Sequence, residues 1–150
     1  MSRALAAQPI DPQEKARQAA AAMQAGKPEV AIPLYQELMA AFPGNSSFAL
    51  NLAIAQFKAR RYQEAVDQCQ ALVRSEPRLF PAWLFLGAGR LELGQPAQAI
   101  DSLQRALDLQ PGDRNARVML ADALLQMEHY EEAAKQFQQA ARLLPDSPRI

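Results

Sequence analysis

The sequence has little of what a catalytic or metal centre requires. It contains one cysteine and one histidine in 150 residues. A single cysteine cannot form an internal disulfide and leaves the redox compartment undecided. One cysteine and one histidine cannot build a zinc site without carboxylate help. Runs rich in Val, Ile and Thr, which favour strands, are also absent. We therefore expect a helical chain without catalytic residues, metal or cofactor.

Charge of one sign and long hydrophobic runs are lacking too. The 16 basic and 16 acidic residues give a formal net charge of zero. No basic excess is gathered on one face, so we expect no nucleic-acid partner. No apolar stretch approaches the ~18 residues that span a bilayer, so we expect no membrane association. The segment 1–10 has no apolar core of signal-peptide length, which predicts a cytoplasmic location. If the chain is a fragment, a periplasmic or secreted location stays open.

What the sequence does have is a repeat. Ala, Gln, Leu, Glu and Arg dominate, and all of them are good helix formers. Alanines and prolines recur every 34 residues, at Ala31, Ala65, Ala99 and Ala133 and at Pro43, Pro77, Pro111 and Pro145. Such a period is the mark of stacked repeats. It predicts an N-terminal extension over 1–11, one domain over 12–147 and the start of a further repeat over 148–150, with the four repeats at 12–45, 46–79, 80–113 and 114–147.

Each repeat contains two amphipathic stretches, and the third repeat shows them most clearly. Gly94 separates its two stretches, at a place where helices end in a left-handed residue. Pro96 opens the second stretch, and Asp113 can cap the helix that follows. Residues 11–14 read as a capping box, so ordered helix should begin near residue 12. The predicted helices are 12–25, 28–42, 46–59, 62–75, 80–93, 96–109, 114–127 and 130–143.

Two places depart from a regular array. Pro33 falls inside the second predicted helix, where it removes one backbone hydrogen bond and favours a kink. Residues 147–150 repeat the opening of a further unit, in phase with 113–116. We interpret this as an array cut short, which should leave Ala134, Ala141 and Leu144 partly uncovered. Two alternatives stay open: the last four residues simply trail off, or a second molecule covers this end and makes a dimer.

At this point the residues carry a resemblance to a known family. Seven residues of the third repeat follow the order and spacing of the tetratricopeptide repeat (TPR) pattern: Trp83, Leu86, Gly87, Ala99, Leu103, Ala106 and Pro111. The resemblance covers about residues 12–147. It implies an all-α, right-handed α-solenoid of four helix-turn-helix units. Small residues at Ala19, Ala53, Gly87 and Ala121 let paired helices approach closely. Larger residues should fill the core: Leu52, Leu86, Leu120, Tyr35, Cys69, Leu103 and Phe137.

The resemblance also implies where a partner binds, because the first helix of each TPR unit lines the concave side. The residues expected to face inward are mainly apolar: Arg17, Ala20, Met23, Gln24, Leu50, Asn51, Ile54, Phe57, Lys58, Leu84, Phe85, Ala88, Leu91, Glu92, Val118, Met119, Asp122, Leu125 and Gln126. A concave apolar patch suits an extended peptide or an amphipathic helix. The alternative is that Met23, Phe57, Leu91 and Leu125 mostly pack against neighbouring first helices.

One binding mechanism of the family can be tested on the residues. TPR domains that hold acidic C-terminal peptides of heat-shock chaperones use a clamp of Lys, Asn and Arg side chains. The matching positions here are Ala16, Ala20, Asn51, Pro81 and Phe85. Only Asn51 agrees with the clamp. Because an apolar site would not repay the desolvation of a carboxylate, this mechanism is rejected.

The sequence therefore predicts a non-enzymatic scaffold that binds a protein or peptide in an apolar groove. His129 fits a solvated turn residue, and Cys69 fits a buried, inert thiol. Two other functions stay open. The array could be a structural spacer that self-associates through an uncapped C-terminal end, or an accessory segment of a larger multidomain enzyme or sensor.

Overall fold

The computed structural model describes residues 10–143, and eight α-helices account for most of that range. They are α1 (Pro12–Gln24), α2 (Pro28–Ala41), α3 (Ser46–Lys58), α4 (Tyr62–Ser75), α5 (Phe80–Glu92), α6 (Pro96–Leu109), α7 (Arg114–Gln126) and α8 (Tyr130–Arg142). None of the residues 10–143 lies in a strand. The all-α prediction is confirmed, and each predicted helix end agrees with the observed one to within one residue.

The first helix of every pair ends in the same turn. The residue that follows its C-cap is left-handed, with φ of 70° at Gly26 and Gly94 and 62° at Arg60 and Glu128. In the third repeat the N–H of Gly94 donates to the Leu91 carbonyl at 3.0 Å, and the next N–H donates to the Arg90 carbonyl at 2.8 Å. Equivalent pairs of bonds close the other three turns. This is the Schellman motif, which reverses the chain so that the second helix can pack on the first.

The helix starts follow the sequence signals, with one difference. Pro28 and Pro96 stand at the first positions of α2 and α6, where no N–H is needed. The Asp113 side chain accepts from the Ala116 N–H at 2.7 Å, as predicted. The capping-box prediction at Asp11 is wrong in detail, because α1 begins at Pro12 but the Asp11 side chain makes no capping hydrogen bond. At Pro33, α2 continues without a break.

Packing between helices gives the array its two sides. Each helix packs against the next one in the chain, and α5 also contacts both α3 and α7 across the repeats. The first helices of the pairs therefore lie side by side in one layer. This layer is the inner one of a solenoid, because the elements there are closest together.

The core lies between the two layers and is built on very small residues. Ala31, Ala65, Ala99 and Ala133 are fully buried, as are Ala19, Ala53 and Ala121. A Cβ placed on Gly87 would lie only 2.6 Å from Leu103 Cγ. Leu52, Leu86 and Leu120 are also buried. The prediction that small side chains permit close helix approach is confirmed.

The core prediction fails at the last helix. Phe137 is 36% exposed, whereas Leu103 and Cys69, one and two periods earlier, are fully buried. Within residues 10–143 no helix follows α8, so nothing covers the outer face of this ring. Ala134 and Ala141 are exposed for the same reason, as predicted. Leu144 and the in-phase residues 147–150 lie outside the described part of the chain.

Candidate partner-binding groove

The inner layer carries a band of apolar side chains. Nine of the predicted apolar groove residues are partly buried: Met23, Leu50, Ile54, Phe57, Leu84, Phe85, Leu91, Val118 and Met119. A tenth, Leu125 near the end of α7, is 42% exposed. Their residual exposure leaves apolar surface on four successive first helices. The structure thus places the predicted residues on the elements that form the inner layer.

Aromatic contacts stiffen the middle of this band. The rings of Phe57 and Phe85 meet edge to face with centroids 5.6 Å apart, and Phe57 also meets Tyr62 at 5.3 Å. Edge-to-face pairs are favourable beyond their buried area. They tie α3 to α5 and fix the orientation of Phe57. Part of each side chain is therefore used inside the molecule, and the rest faces outward.

The alternative for individual groove residues holds in part. Met23 packs against the core cluster of the first repeat, and Leu91 packs against the core cluster that contains Leu103 and Leu120. Ala88 is only 6% exposed, so its expected contribution to the groove is wrong. Its helix, α5, is flanked by α3 and α7. The short side chain of Ala88 does not reach past these neighbours.

The charged residues of the predicted groove are all exposed. Arg17 makes a hydrogen-bonded ion pair with Glu14 of its own helix, with Nη2 and Oε2 2.6 Å apart. Lys58, Glu92 and Asp122 form no ion pair within 4.0 Å with any other residue in 10–143. The free charges thus run from positive on α3 to negative on α5 and α7. Asn51 lies half-buried among the apolar side chains.

Reactive groups are not concentrated at this surface. Cys69 is fully buried in α4, and burial raises the pKa of its thiol to about 12. A thiol of this kind is neither a nucleophile nor a metal ligand at neutral pH. His129 is exposed at the start of α8. Among the residues that the structure describes, no group of three His, Cys, Asp or Glu side chains is placed to hold a metal ion.

One polar cluster was not anticipated from the sequence. Arg90 on α5 donates from Nη1 to Ser102 Oγ on α6 at 2.7 Å, and Ser102 is 1% exposed. Burial lowers the pKa of Arg90, and the nearby Asp101 carboxylate opposes that shift. The contact joins the two helices of the third repeat. One feature of the sequence could have revealed this cluster. Arg90 is a charged residue at the position that Leu124 occupies in the fourth repeat.

The groove is an open surface. Cavities of about 290 and 470 Å³ lie along α4 and α6. Neither shares a lining residue with the predicted groove. A partner on the inner face would therefore lie across the helices, which is the geometry that a peptide or a helix requires.

Comparison with known proteins supports the prediction of a helical repeat architecture. The family model described as tetratricopeptide repeat matches residues 22–86 and 90–150. The chain belongs to the tetratricopeptide repeat family. TPR proteins mediate protein–protein interactions, and they are typically scaffolds without enzymatic activity. No helix in the described range of this TPR chain is long and apolar enough to cross a membrane.

Curated relatives are longer than this TPR chain. It is 28% identical over 115 residues to small glutamine-rich tetratricopeptide repeat-containing protein 2 of Saccharomyces cerevisiae, covering 77% of this chain and 31% of the relative. It is 30% identical over 103 residues to the Hsp70-Hsp90 organizing protein of Triticum aestivum, covering 69% of this chain and 18% of the relative. The chain thus spans less than a third of the length of these two relatives.

Solved structures share the fold. The structure of MamA AMB-1 is 26% identical, with a TM-score of 0.82, and the match covers 91% of this chain and 80% of that one. MamA from Desulfovibrio magneticus RS-1 is 20% identical, with a TM-score of 0.83, and the match covers 89% of this chain and 75% of that one. The TPR solenoid that the resemblance implied is confirmed by these similarities.

Proposed function

We propose that this TPR chain binds a peptide or an amphipathic helix of a partner protein across its inner face. The observation that carries the proposal is the band of partly exposed apolar side chains on α1, α3, α5 and α7, from Met23 to Leu125. A contiguous apolar surface on a soluble domain marks an interaction site. An amphipathic helix presents apolar residues at three- and four-residue intervals, which suits a band that crosses parallel elements.

The centre of the band supports a few strong contacts. Phe57 is held by Phe85 and by Tyr62, so little side-chain entropy is lost when a partner covers it. Rigid aromatic side chains near the middle of an interface often dominate its binding energy. Leu125 at the edge of the band is the most exposed of its apolar residues. We expect Phe57 and Leu125 to contribute differently, one as an anchor and one as a rim contact.

The free charges favour one direction for the partner. Lys58 on α3 would attract an acidic residue, and Glu92 and Asp122 on α5 and α7 would attract basic residues. Acidic C-terminal chaperone peptides do not fit this surface, although one relative is an Hsp70-Hsp90 organizing protein. Of the clamp positions only Asn51 matches, and Phe85 places an aromatic ring where the clamp needs a cation.

The proposal is tested with peptides selected on the folded chain from a displayed library of random 16-residue sequences. Phe57→Asp should weaken binding of the selected peptides at least ten-fold and Leu125→Asp, at the rim, by a smaller factor, because each places a carboxylate in apolar contact. Val30→Asp is the matched control, since Val30 is 52% exposed on α2, outside the groove. Fluorescence polarisation measures affinity, and circular dichroism shows that each variant is folded. Equal binding by the Phe57 and Val30 variants would contradict the proposal.

A second function is favoured by the exposed outer face of α8. Phe137 is 36% exposed there, next to the exposed Ala134 and Ala141. This face could hold two copies together end to end, as expected for a self-associating spacer. Light scattering over a concentration series tests it, with Phe137→Lys as the variant. A wild-type mass that stays monomeric at the highest concentration excludes this function.

A further inference from the structure

The fourth residue of each repeat closes the junction with the repeat before it. In the third repeat, Trp83 Nε1 donates to the Pro77 carbonyl at 2.8 Å. In the fourth repeat, Arg117 Nη2 donates to the Pro111 carbonyl, also at 2.8 Å. Pro77 and Pro111 are one period apart. Two chemically different side chains thus make the same bond at the same place.

Arg117 shows which hydrogen-bond acceptors a guanidinium group can reach at this junction. Its Nη1 donates to Gln136 Oε1 at 2.9 Å and to Gln139 Oε1 at 2.7 Å, both on α8. Together with the Pro111 carbonyl, three acceptors surround one side chain. Arg117 therefore lies along the second helix of its own repeat and reaches back to the preceding turn.

The second repeat has Ala49 at this position, and a cavity of about 290 Å³ lies beside it. The cavity is lined by Pro43, Gln68 and Ala71. These are the positions of Pro111, Gln136 and Gln139, two periods earlier. The methyl group of Ala49 is too short to reach them. The cavity thus occupies the space that Arg117 fills in the fourth repeat.

The lining of this cavity suits a guanidinium group. Its lining residues include Glu76, Gln68 and Pro43, which carry a carboxylate, an amide and a backbone carbonyl, and none of its lining residues is lysine or arginine. No donor among residues 10–143 bonds to the Pro43 carbonyl. Met39 and Leu72 add apolar wall for the stem of an arginine. A volume of about 290 Å³ is at the small end of ligand pockets, so it fits one side chain.

Charge distinguishes this junction from the other two. The residue equivalent to Glu76 is the neutral Gln110 where Trp83 fills the junction, and Leu144 where Arg117 fills it. In the second repeat the same position is a carboxylate, which attracts a cation and offers two acceptor oxygens. A guanidinium, with five donors in a plane, uses several acceptors at once.

We propose that the cavity beside Ala49 binds an arginine side chain of a partner protein. It shares no lining residue with the inner face, so it is a second contact site that does not depend on the groove. A partner that uses both sites would extend from the inner face around the α2–α3 turn. A lysine would bind more weakly, because its ammonium cannot span the three acceptors.

The test uses nuclear magnetic resonance of the ¹⁵N-labelled chain and three small probes: Nα-acetyl-arginine, -lysine and -tryptophan methylamides. We expect the arginine probe, at millimolar concentration, to shift the amide signals of Asn45, Ser46, Ala49 and Glu76. Its affinity should exceed that of the lysine probe at least three-fold, and Glu76→Gln should weaken it several-fold. A tryptophan probe that binds more tightly, or an arginine probe without effect, overturns the proposal.

Two matched variants separate this cavity from general surface binding. Ala49→Arg should fill the cavity with the chain's own guanidinium and abolish the shifts, while the fold is kept because Arg117 is accommodated at the equivalent position. Arg117→Ala should create a second cavity, so that the arginine probe now also shifts the signals of Asp113 and Gln139. Shifts that persist in Ala49→Arg overturn the proposal. Failure of Arg117→Ala to gain shifts, in a variant that circular dichroism shows to be folded, also overturns it.

Discussion

At the scale of single residues, Gly87 shows how closely the paired helices approach. A Cβ at this position would lie 2.6 Å from Leu103 Cγ and 2.7 Å from its Cδ2. Leu103 is fully buried, so its side chain has little room to shift. Alanine is normally better than glycine in a helix by about 1 kcal/mol. Here overpacking of about 1–3 kcal/mol should outweigh that gain.

We therefore predict that Gly87→Ala lowers the melting temperature, measured by circular dichroism. The control is Ala121→Gly at the equivalent position of the fourth repeat, where a Cβ is already accommodated and fully buried. That variant should also be less stable, by about 1 kcal/mol, because glycine loses more backbone entropy. A Gly87→Ala variant that is more stable than the wild type would show that the helices can separate at no cost.

Gln56 is the least satisfied polar residue of the core. It is 4% exposed, its Oε1 has no hydrogen-bond partner within the described residues, and its Nε2 lies 3.5 Å from Glu64 Oε2. An unpaired buried acceptor costs about 1–3 kcal/mol. Leu124, at the same position two repeats later, is buried in an apolar cluster. Gln56→Leu should therefore raise the free energy of unfolding in urea by about 1 kcal/mol, and a decrease would contradict this account.

Sequence reasoning worked unevenly at this scale. Small residues at the close-approach positions were predictable, because the period repeats them at Ala19, Ala53, Gly87 and Ala121. The burial of polar residues was not predictable. The period aligns Gln56, Arg90 and Leu124, but it does not show which of them has a hydrogen-bond partner. The Arg90 bond to Ser102 depends on an arginine long enough to reach the next helix.

At the scale of helices and turns, two repeats reverse the chain without glycine. Arg60 and Glu128 both have φ of 62°, where Gly26 and Gly94 stand in the other repeats. A residue with a Cβ in this conformation is less stable by about 1–2 kcal/mol. The turn forms anyway because two backbone hydrogen bonds and the packing of the following helix require it.

Arg60→Gly and Glu128→Gly should each stabilise the chain by about 0.5–1 kcal/mol. Glycine adopts the left-handed conformation without steric strain, and the relief of this strain exceeds the cost of the backbone entropy that glycine loses on folding. The matched control is Gly94→Ala. A Cβ there meets nothing within 4 Å, so any loss of stability comes from the backbone alone. Urea unfolding of the three variants measures the effect. Unchanged stability in Gly94→Ala would mean that the left-handed residue does not set the turn.

The helices themselves were predictable almost to the residue, since their boundaries depend on local signals. Proline at a first position and a residue two places after the helix end act within one turn of chain. The capping box at Asp11 failed because its carboxylate does not accept the expected bond. Such a bond depends on a side-chain rotamer, which spacing alone does not determine.

At the scale of the whole molecule, the inner layer follows from the stacking of repeats. The TPR resemblance implied which helices would line it, and contacts of α5 with α3 and α7 agree. Exposure of individual groove residues did not follow as well, since Ala88 is buried and Leu125 protrudes. The exposure of Phe137 was not predictable either. A pattern shared by all repeats does not show which helix lacks a following helix to cover it.

The buried thiol of Cys69 links stability to pH for the molecule as a whole. Burial raises its pKa from an ordinary value of 9.0 to about 12 in the folded chain. Between these values the unfolded chain loses a proton that the folded chain retains. The free energy of unfolding therefore falls as pH rises from about 9 towards 12, by at most about 1.4 kcal/mol per pH unit, and this contribution is complete below pH 9.

We predict that urea unfolding at pH 7.5, 9, 10 and 10.5 shows this loss in the wild type. Burial also raises the pKa of Tyr35, which acts in the same direction at higher pH, so a reference is needed. Cys69→Ala provides it, because it keeps Tyr35 and removes the thiol. The stability difference between wild type and variant should be constant up to pH 9 and narrow above it. Parallel curves up to pH 10.5 would show that Cys69 ionises equally well in the folded and unfolded chains.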